Sequence, residues 1–343
     1  MTRGFEAVAE EFDPGPGAAF AATVDGELVV DLWGGPGWQE DTLCLVFSGT
    51  KGFVAACLLL LVERGELELD APLVRYWPEF SSRRVLVRHV VSHTTGLPGM
   101  RPPPTMEELL DGERAAARLA QQTPFWEPGT RLAYHALTYG FFAGELVGRI
   151  DGRSVGTFFA EEIAAPLGLD LWIGLPPELE PRVARLVRGP GYGASSYDAD
   201  PELLAAVYGP MFESFSWNDP ALHAAEIPAA NGIGTARSIA QLYGSLDRIL
   251  KPETERLGRS ELSRDRCAIT QRPYAFGVGF ELQTELGRFG PPPAAFGHTG
   301  SGGSTHGYWP EERVGFSYVP SELRPEPEDD RGRRMLAALH ACV

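Results

Sequence analysis

From Lys51 to Gly65 the chain reads KGFVAACLLLLVERG. The run is long enough for several helical turns, and Gly65 stands where a helix is commonly stopped. It has no polar face, because every side chain from Phe53 to Val62 is apolar. A helix that is apolar all round is buried all round. The stretch ending in CLLLLV is also far below the roughly 20 residues that cross a bilayer. The chain therefore has to enclose this helix within a protein core, and its 343 residues are ample for that.

The flanking patterns say what does the enclosing. Before the helix, AAFAATV and ELVVDLWGG (Ala18–Gly35) read as two strands joined by an Asp-Gly turn, a strong hairpin signal. Between about Met106 and Arg188 the patterns are helical and broken by Pro and Gly, as in TMEELLDGERAAARLAQQ and LTYGFFAGELVGRI. Residues 189–227 are irregular and rich in Gly, Pro and aromatics, and only PELLAAVYG is helical in pattern. We read this segment as a binding wall or lid. Tyr192, Tyr197, Phe212, Phe215 and Trp217 within it serve either a core or a pocket wall. TARSIAQLYGSLDRIL (Thr235–Leu250) is a helix with Thr235 as N-cap. Then YAFGVGFELQ, AFGHTGSGGSTHGYW and RVGFSYVPS read as three strands, and DDRGRRMLAALHACV as a closing amphipathic helix.

Strands at both ends and helices between them predict an α+β fold. The terminal strands form one antiparallel sheet flanked by helices. Residues 1–80 and 231–343 make this discontinuous domain, and residues 81–230 a mainly helical one with the substrate-lining segment 189–227.

Charge and composition remove several classes of function. The formal net charge of −16 disfavours nucleic acid and anionic membranes as partners. Cys44, Cys57, Cys267 and Cys342 follow no metal spacing and no disulfide framework, and Cys57 lies in the apolar helix as a buried free thiol. MTRGFEAVAEEFDPGPG has no signal-like apolar segment, so a reduced, cytoplasmic protein is expected. His89 and His93 are four apart, but no Glu follows His89 and no third ligand is evident. We expect no metal, and a structural role for His93 in the HTTGLPG loop. The absence of a G-x-S-x-G elbow argues against an α/β-hydrolase, and no phosphate-binding Gly loop appears. No cofactor is expected.

Ser48 precedes the apolar helix, and Lys51 follows one turn later. Lys51 is one of only two lysines in the chain; the other is Lys251. A serine hydroxyl is a poor nucleophile without a base, and residues three apart on a helix share a face. A buried lysine loses its proton readily, whereas arginine does not. The helix N-terminus adds N–H groups that suit a developing oxyanion.

The motifs VFSGTKG, LDAPLVRYWPEF, VRHVVSHTTGLPG, YHALTYGFFAGELV, EIPAANGIGTARSIAQLY and FGHTGSGGS follow in order over nearly the whole chain. Together they resemble the serine β-lactamase and penicillin-binding-protein superfamily, most closely its class C-like esterase branch, the family VIII carboxylesterases. The resemblance implies a β-lactamase/transpeptidase-like fold. Ser48 would be the acylated nucleophile and Lys51 its base. Tyr134 would shuttle the proton as one half of a coupled pair with Lys51. His135 and Ala136 stand where β-lactamases usually carry a small residue and an asparagine, which favours an ester over a β-lactam. His298, Thr299 and Gly300 stand in place of Lys-Thr-Gly, on an edge strand facing the nucleophile, so carboxylate recognition should be weak. The N–H groups of Ser48 and Ser301 would form the oxyanion hole. Substrate contacts would come from His298, Thr299, Gly300, His135, Trp217 and Trp309, with Tyr308 and Trp309 shaping the rim. The expected activity is hydrolysis of a small-molecule ester or acyl substrate through an acyl-enzyme. The alternatives are a biosynthetic acyltransferase (transacylase) using the same acyl-enzyme, a weak β-lactamase, or a catalytically idle binding protein.

Overall fold

The computed structural model describes residues 2–193, 200–213, 216–326 and 328–343. Its centre is an eight-stranded antiparallel sheet. In spatial order the strands are Glu27–Gly34, Ala18–Val24, Val314–Pro320, Thr305–Trp309, Phe296–Thr299, Glu281–Leu282, Pro273–Phe276 and Ser263–Arg266. The first hairpin turns at Asp25 and Gly26, both at positive φ, as an Asp-Gly turn requires. Ala18–Val24 then pairs along its whole length with Val314–Pro320, which brings the two ends of the chain together.

One face of the sheet carries the closing helix Arg331–His340. Its Met335, Leu336 and Leu339 pack with Phe20, Phe316 and Trp309 in a separate core. The other face receives the helix Ala236–Gly244 and the apolar helix Thr50–Glu63. Thr235 caps the former through a bond accepted from the Ser238 N–H. In the apolar helix every residue from Thr50 to Leu61 is buried, as a helix without a polar face must be. The helices Thr138–Asp151, Val155–Phe159 and Pro252–Gly258 cover its remaining sides.

Two glycines let this helix lie close to its neighbours. A Cβ on Gly49 would collide with the His306 ring, and one on Gly52 with the Tyr243 hydroxyl. Among the described residues no helix is long and apolar enough to cross a membrane.

The structure departs from the sequence reading in the sheet. YAFGVGFELQ is two short strands, broken at 277–280, where Gly279 takes a positive φ and its N–H bonds Val91 O. AFGHTGSGGSTHGYW is a hairpin whose strands pair His298 with His306. Phe296–Thr299 lies inside the sheet and not at its edge. Its neighbour Glu281–Leu282 reaches only Gly297, however, so His298 and Thr299 run on past the end of that strand. In the irregular segment a helix spans Pro201–Glu213, longer than the pattern indicated. Tyr197 and Phe215, and the side chain of Phe212, lie outside the described residues.

Candidate active site

Ser48 sits in a single 3₁₀ turn, Phe47–Gly49, that leads into the apolar helix. Phe47 enters this turn at φ 49°, in the left-handed region, at a cost of about 1–2 kcal/mol for a residue with a Cβ. Two contacts hold it there. Its carbonyl accepts from the Thr50 hydroxyl at 2.5 Å, and its ring meets Trp217 edge-on at 5.0 Å. Thr50 Oγ1 in turn accepts from the Gly232 N–H at 2.7 Å, which ties the turn to the segment 231–234. The strained residue delivers Ser48 to the wall of a cavity of about 780 Å³.

Lys51 is fully buried beneath Ser48. Its Nζ lies 3.2 Å from Ser48 Oγ, 3.0 Å from Ala136 O and 2.8 Å from Ala229 O. Burial holds its amine well below the usual lysine range, and the field of Glu281 offsets this only in part. A neutral amine has two N–H donors and one lone pair. The two carbonyls can only accept, so in that neutral form they take both donors and leave the lone pair toward the Ser48 hydroxyl.

The Tyr134 ring lies 4.8 Å from Lys51 Nζ and stacks on Tyr274 at 5.6 Å, with 7° between the planes. Burial pushes the phenol well above its usual range, and a hydrogen-bonding interaction with Ser48 opposes the shift. The Tyr134 hydroxyl nevertheless makes no aligned hydrogen bond with any described residue. Tyr134 is a neutral phenol.

The main chain around Tyr134 is held from both sides. His93, at φ 58°, accepts the Ala133 N–H through its carbonyl at 3.1 Å and the His135 N–H through Nδ1 at 3.0 Å. Its ring packs 4.9 Å from that of Tyr134. The Tyr134 N–H donates to Cys267 Sγ at 3.3 Å.

On the far wall, Gly300 passes so close to Val46 O and Ser304 Oγ that no Cβ fits. His298 is 1% exposed, its Nδ1 bonds Thr299 O at 2.8 Å, and burial keeps it neutral. Ser301 lies on the turn of the hairpin, with its Oγ 2.7 Å from the Tyr192 hydroxyl. Ser48, Tyr134, Ala136, Trp217, His298, Thr299, Gly300 and Ser301 therefore all line one cavity, and Lys51 lies directly beneath it.

Two expected contacts are not there. The fully buried His135 ring turns away from the cavity, with Nε2 2.6 Å from Thr95 Oγ1 and Nδ1 2.5 Å from Ala133 O, and it is Ala136 that faces the cavity. Trp309 is fully buried in the core beneath the closing helix, where Nε1 donates to Phe289 O at 2.6 Å. Neither Trp309 nor Tyr308 borders the cavity. Along a strand side chains alternate between faces, and Trp309 points to the face opposite the nucleophile.

The sequence reading also missed the charged residues of the cavity wall, Glu281, Arg288, Arg272 and Glu326 among them. Glu281 bonds Arg288 at 2.7 Å, and Arg288 and Arg272 both bond Glu326, each at 2.6 Å. The one available signal was a glutamate inside the otherwise apolar GVGFEL.

A family model described as Beta-lactamase matches residues 5–341. The chain belongs to the β-lactamase family. Within that family it is 33% identical over 333 residues to the Esterase/beta-lactamase LipL of Mycobacterium tuberculosis (strain ATCC 25618 / H37Rv), a match covering 90% of this chain and 77% of that protein. A penicillin-binding protein homologue from Caulobacter crescentus superposes with a TM-score of 0.92 at 33% identity, over 99% of this chain and 98% of that one. A family VIII carboxylesterase does so with a TM-score of 0.91 at 32% identity, over 100% and 98%. The fold and the family likeness expected from the motifs are thus established, and the protein is a serine hydrolase of the β-lactamase family.

Proposed function

We propose that the protein hydrolyses carboxylic esters through an acyl-enzyme on Ser48. The observation that carries this reading is the buried Lys51 amine, held by the carbonyls of Ala136 and Ala229 with its Nζ 3.2 Å from Ser48 Oγ. Ser48 Oγ attacks the ester carbonyl carbon while Lys51 removes the hydroxyl proton. The N–H groups of Ser48 and Ser301 receive the oxyanion. As the C–O bond to the leaving group breaks, Tyr134 gives its phenolic proton to the departing alkoxide and recovers one from the Lys51 ammonium. Water then repeats the sequence on the acyl-enzyme, releasing the acid and restoring Ser48.

The character of the wall supports an ester over a β-lactam. Phe47, Trp217, Ala136 and Ala230 give it an apolar side for an acyl chain, and the residue at the head of the third motif is a neutral histidine. The carboxylesterase structure points the same way. The cavity continues past Ser48 as far as Gly332 and Arg333, leaving room for an acyl acceptor beside an acyl chain, so transfer to an amine or alcohol is the second reading.

The test is mass spectrometry of the intact protein after a fluorophosphonate probe, together with turnover of a short-chain nitrophenyl ester with and without millimolar amine. A single adduct on Ser48, ester turnover and its loss in Ser48→Ala are expected. A dominant amide product would move the reading to acyl transfer. No adduct and no turnover would leave a binding protein on this fold.

A further inference from the structure

The cavity wall contains a complete site for a carboxylate, and the chain fills it with its own. Thr299 lies where its strand has outrun the neighbouring one. There its hydroxyl donates to Glu281 Oε2 at 2.9 Å and its N–H donates to the same oxygen at 3.3 Å. The other oxygen, Oε1, accepts from Arg288 at 2.7 Å. A hydroxyl, a strand-edge N–H and a guanidinium converging on two oxygens are a full set of donors for a carboxylate. Glu281 is 1% exposed and Arg288 5%, yet both border the cavity that contains Ser48. Arg288 is held independently of Glu281 through Glu326, at 2.6 and 3.0 Å, and by the Tyr274 ring 4.5 Å away. The donors therefore stay in place if Glu281 is removed.

We propose that Glu281 determines specificity by occupying, from within the chain, the place where a carboxylate on the substrate would bind, so that the enzyme takes neutral esters and rejects carboxylate-bearing ones. An incoming carboxylate meets Thr299 with its hydroxyl and N–H already used, and a fixed anion beside it. Rejection here comes from like charge and from donors already satisfied, which discriminates more sharply than the lack of a favourable contact. The selectivity half of the proposal rests on the ester-hydrolase reading, whereas the carboxylate site does not.

Two variants and two measurements test it. Glu281→Ala empties the place, and Glu281→Gln keeps its volume without the charge. Hydrolysis is compared within two matched pairs: 4-acetoxybenzoate and its methyl ester, and mono-4-nitrophenyl adipate and its methyl ester. In at least one pair the ratio of kcat/KM for the anionic over the neutral ester should rise tenfold or more in Glu281→Ala, and by less in Glu281→Gln. Independently of turnover, 100 mM sodium formate should raise the Tm of Glu281→Ala above a sodium chloride control and leave the parent unmoved.

Ratios that stay flat in both pairs overturn the proposal, as does a folded Glu281→Ala that ignores formate. If Glu281→Ala does not fold, the Glu281→Gln ratios decide alone. A parent that turns over none of the four esters counts against the ester-hydrolase reading, and the formate response still reads the site.

Discussion

Replacing Lys51 with methionine keeps an unbranched apolar stem of similar length, with sulfur in place of one methylene, and deletes the amine. In the parent the amine touches three oxygens and lies 3.2 Å from the hydroxyl it is to deprotonate. Losing a positioned general base costs typically 10²–10⁴-fold, which is about 3–5 kcal/mol of transition-state stabilisation at about 1.4 kcal/mol per decade. Lys51→Met should therefore lower kcat/KM for a nitrophenyl ester by at least a hundredfold. Stability responds to opposing effects. The carbonyls of Ala136 and Ala229 each lose a donor, at about 1–3 kcal/mol apiece, while the cost of burying an amine disappears.

The pH dependence separates the base from its packing. Because the folded-state pKa of Lys51 lies well below its unfolded value, the unfolded chain binds one more proton between the two. Lys51 thus makes stability rise with pH across that window, and Lys51→Met should remove this slope. In activity, the parent's kcat/KM should fall on the acid side as pH drops through the lowered pKa, and remain high well below about 10.4, the ordinary value for lysine. The measurements are kcat/KM against pH and chemical denaturation at several pH values, with Ser48→Ala as the inactive reference. If Lys51→Met keeps kcat/KM within tenfold of the parent, or if the parent becomes active only near the ordinary lysine pKa, the reasoning fails.

Tyr134→Phe should lower kcat by about 10²–10³-fold with Tm unchanged or raised, because the deleted hydroxyl is buried without an aligned partner; steady-state kinetics and calorimetry check this. Gly52→Ala should destabilise by about 1–3 kcal/mol, since its Cβ meets the Tyr243 hydroxyl. Combining it with Tyr243→Phe should recover much of that loss in a double-mutant cycle.

Much of the site was legible because it is local. Ser48 and Lys51 are one helical turn apart, and one turn brings them together whatever surrounds them. The hairpin at Asp25–Gly26 and the cap at Thr235 were equally local. Reading failed where the answer depended on which way a strand faces or where a neighbouring strand ends. Trp309 follows the Gly-rich turn closely enough to suggest a rim residue, yet the pleat sends it into the opposite core. His135 adjoins Tyr134, but its ring is claimed by Thr95, forty residues away.

The sequence by itself determined that a helix without a polar face would be enclosed, that the chain's ends would supply the sheet, and that a serine and a lysine would share one turn. Only the tertiary structure decided the charge states and the wall of the site. Lys51 and His298 are held well below, and Tyr134 well above, their usual ranges because distant segments exclude water from them. Glu281 reaches Thr299 because one strand stops where its neighbour continues. Periodicity is written within a few residues of chain, whereas desolvation and the length of a neighbouring strand are set by parts of the chain that meet only on folding.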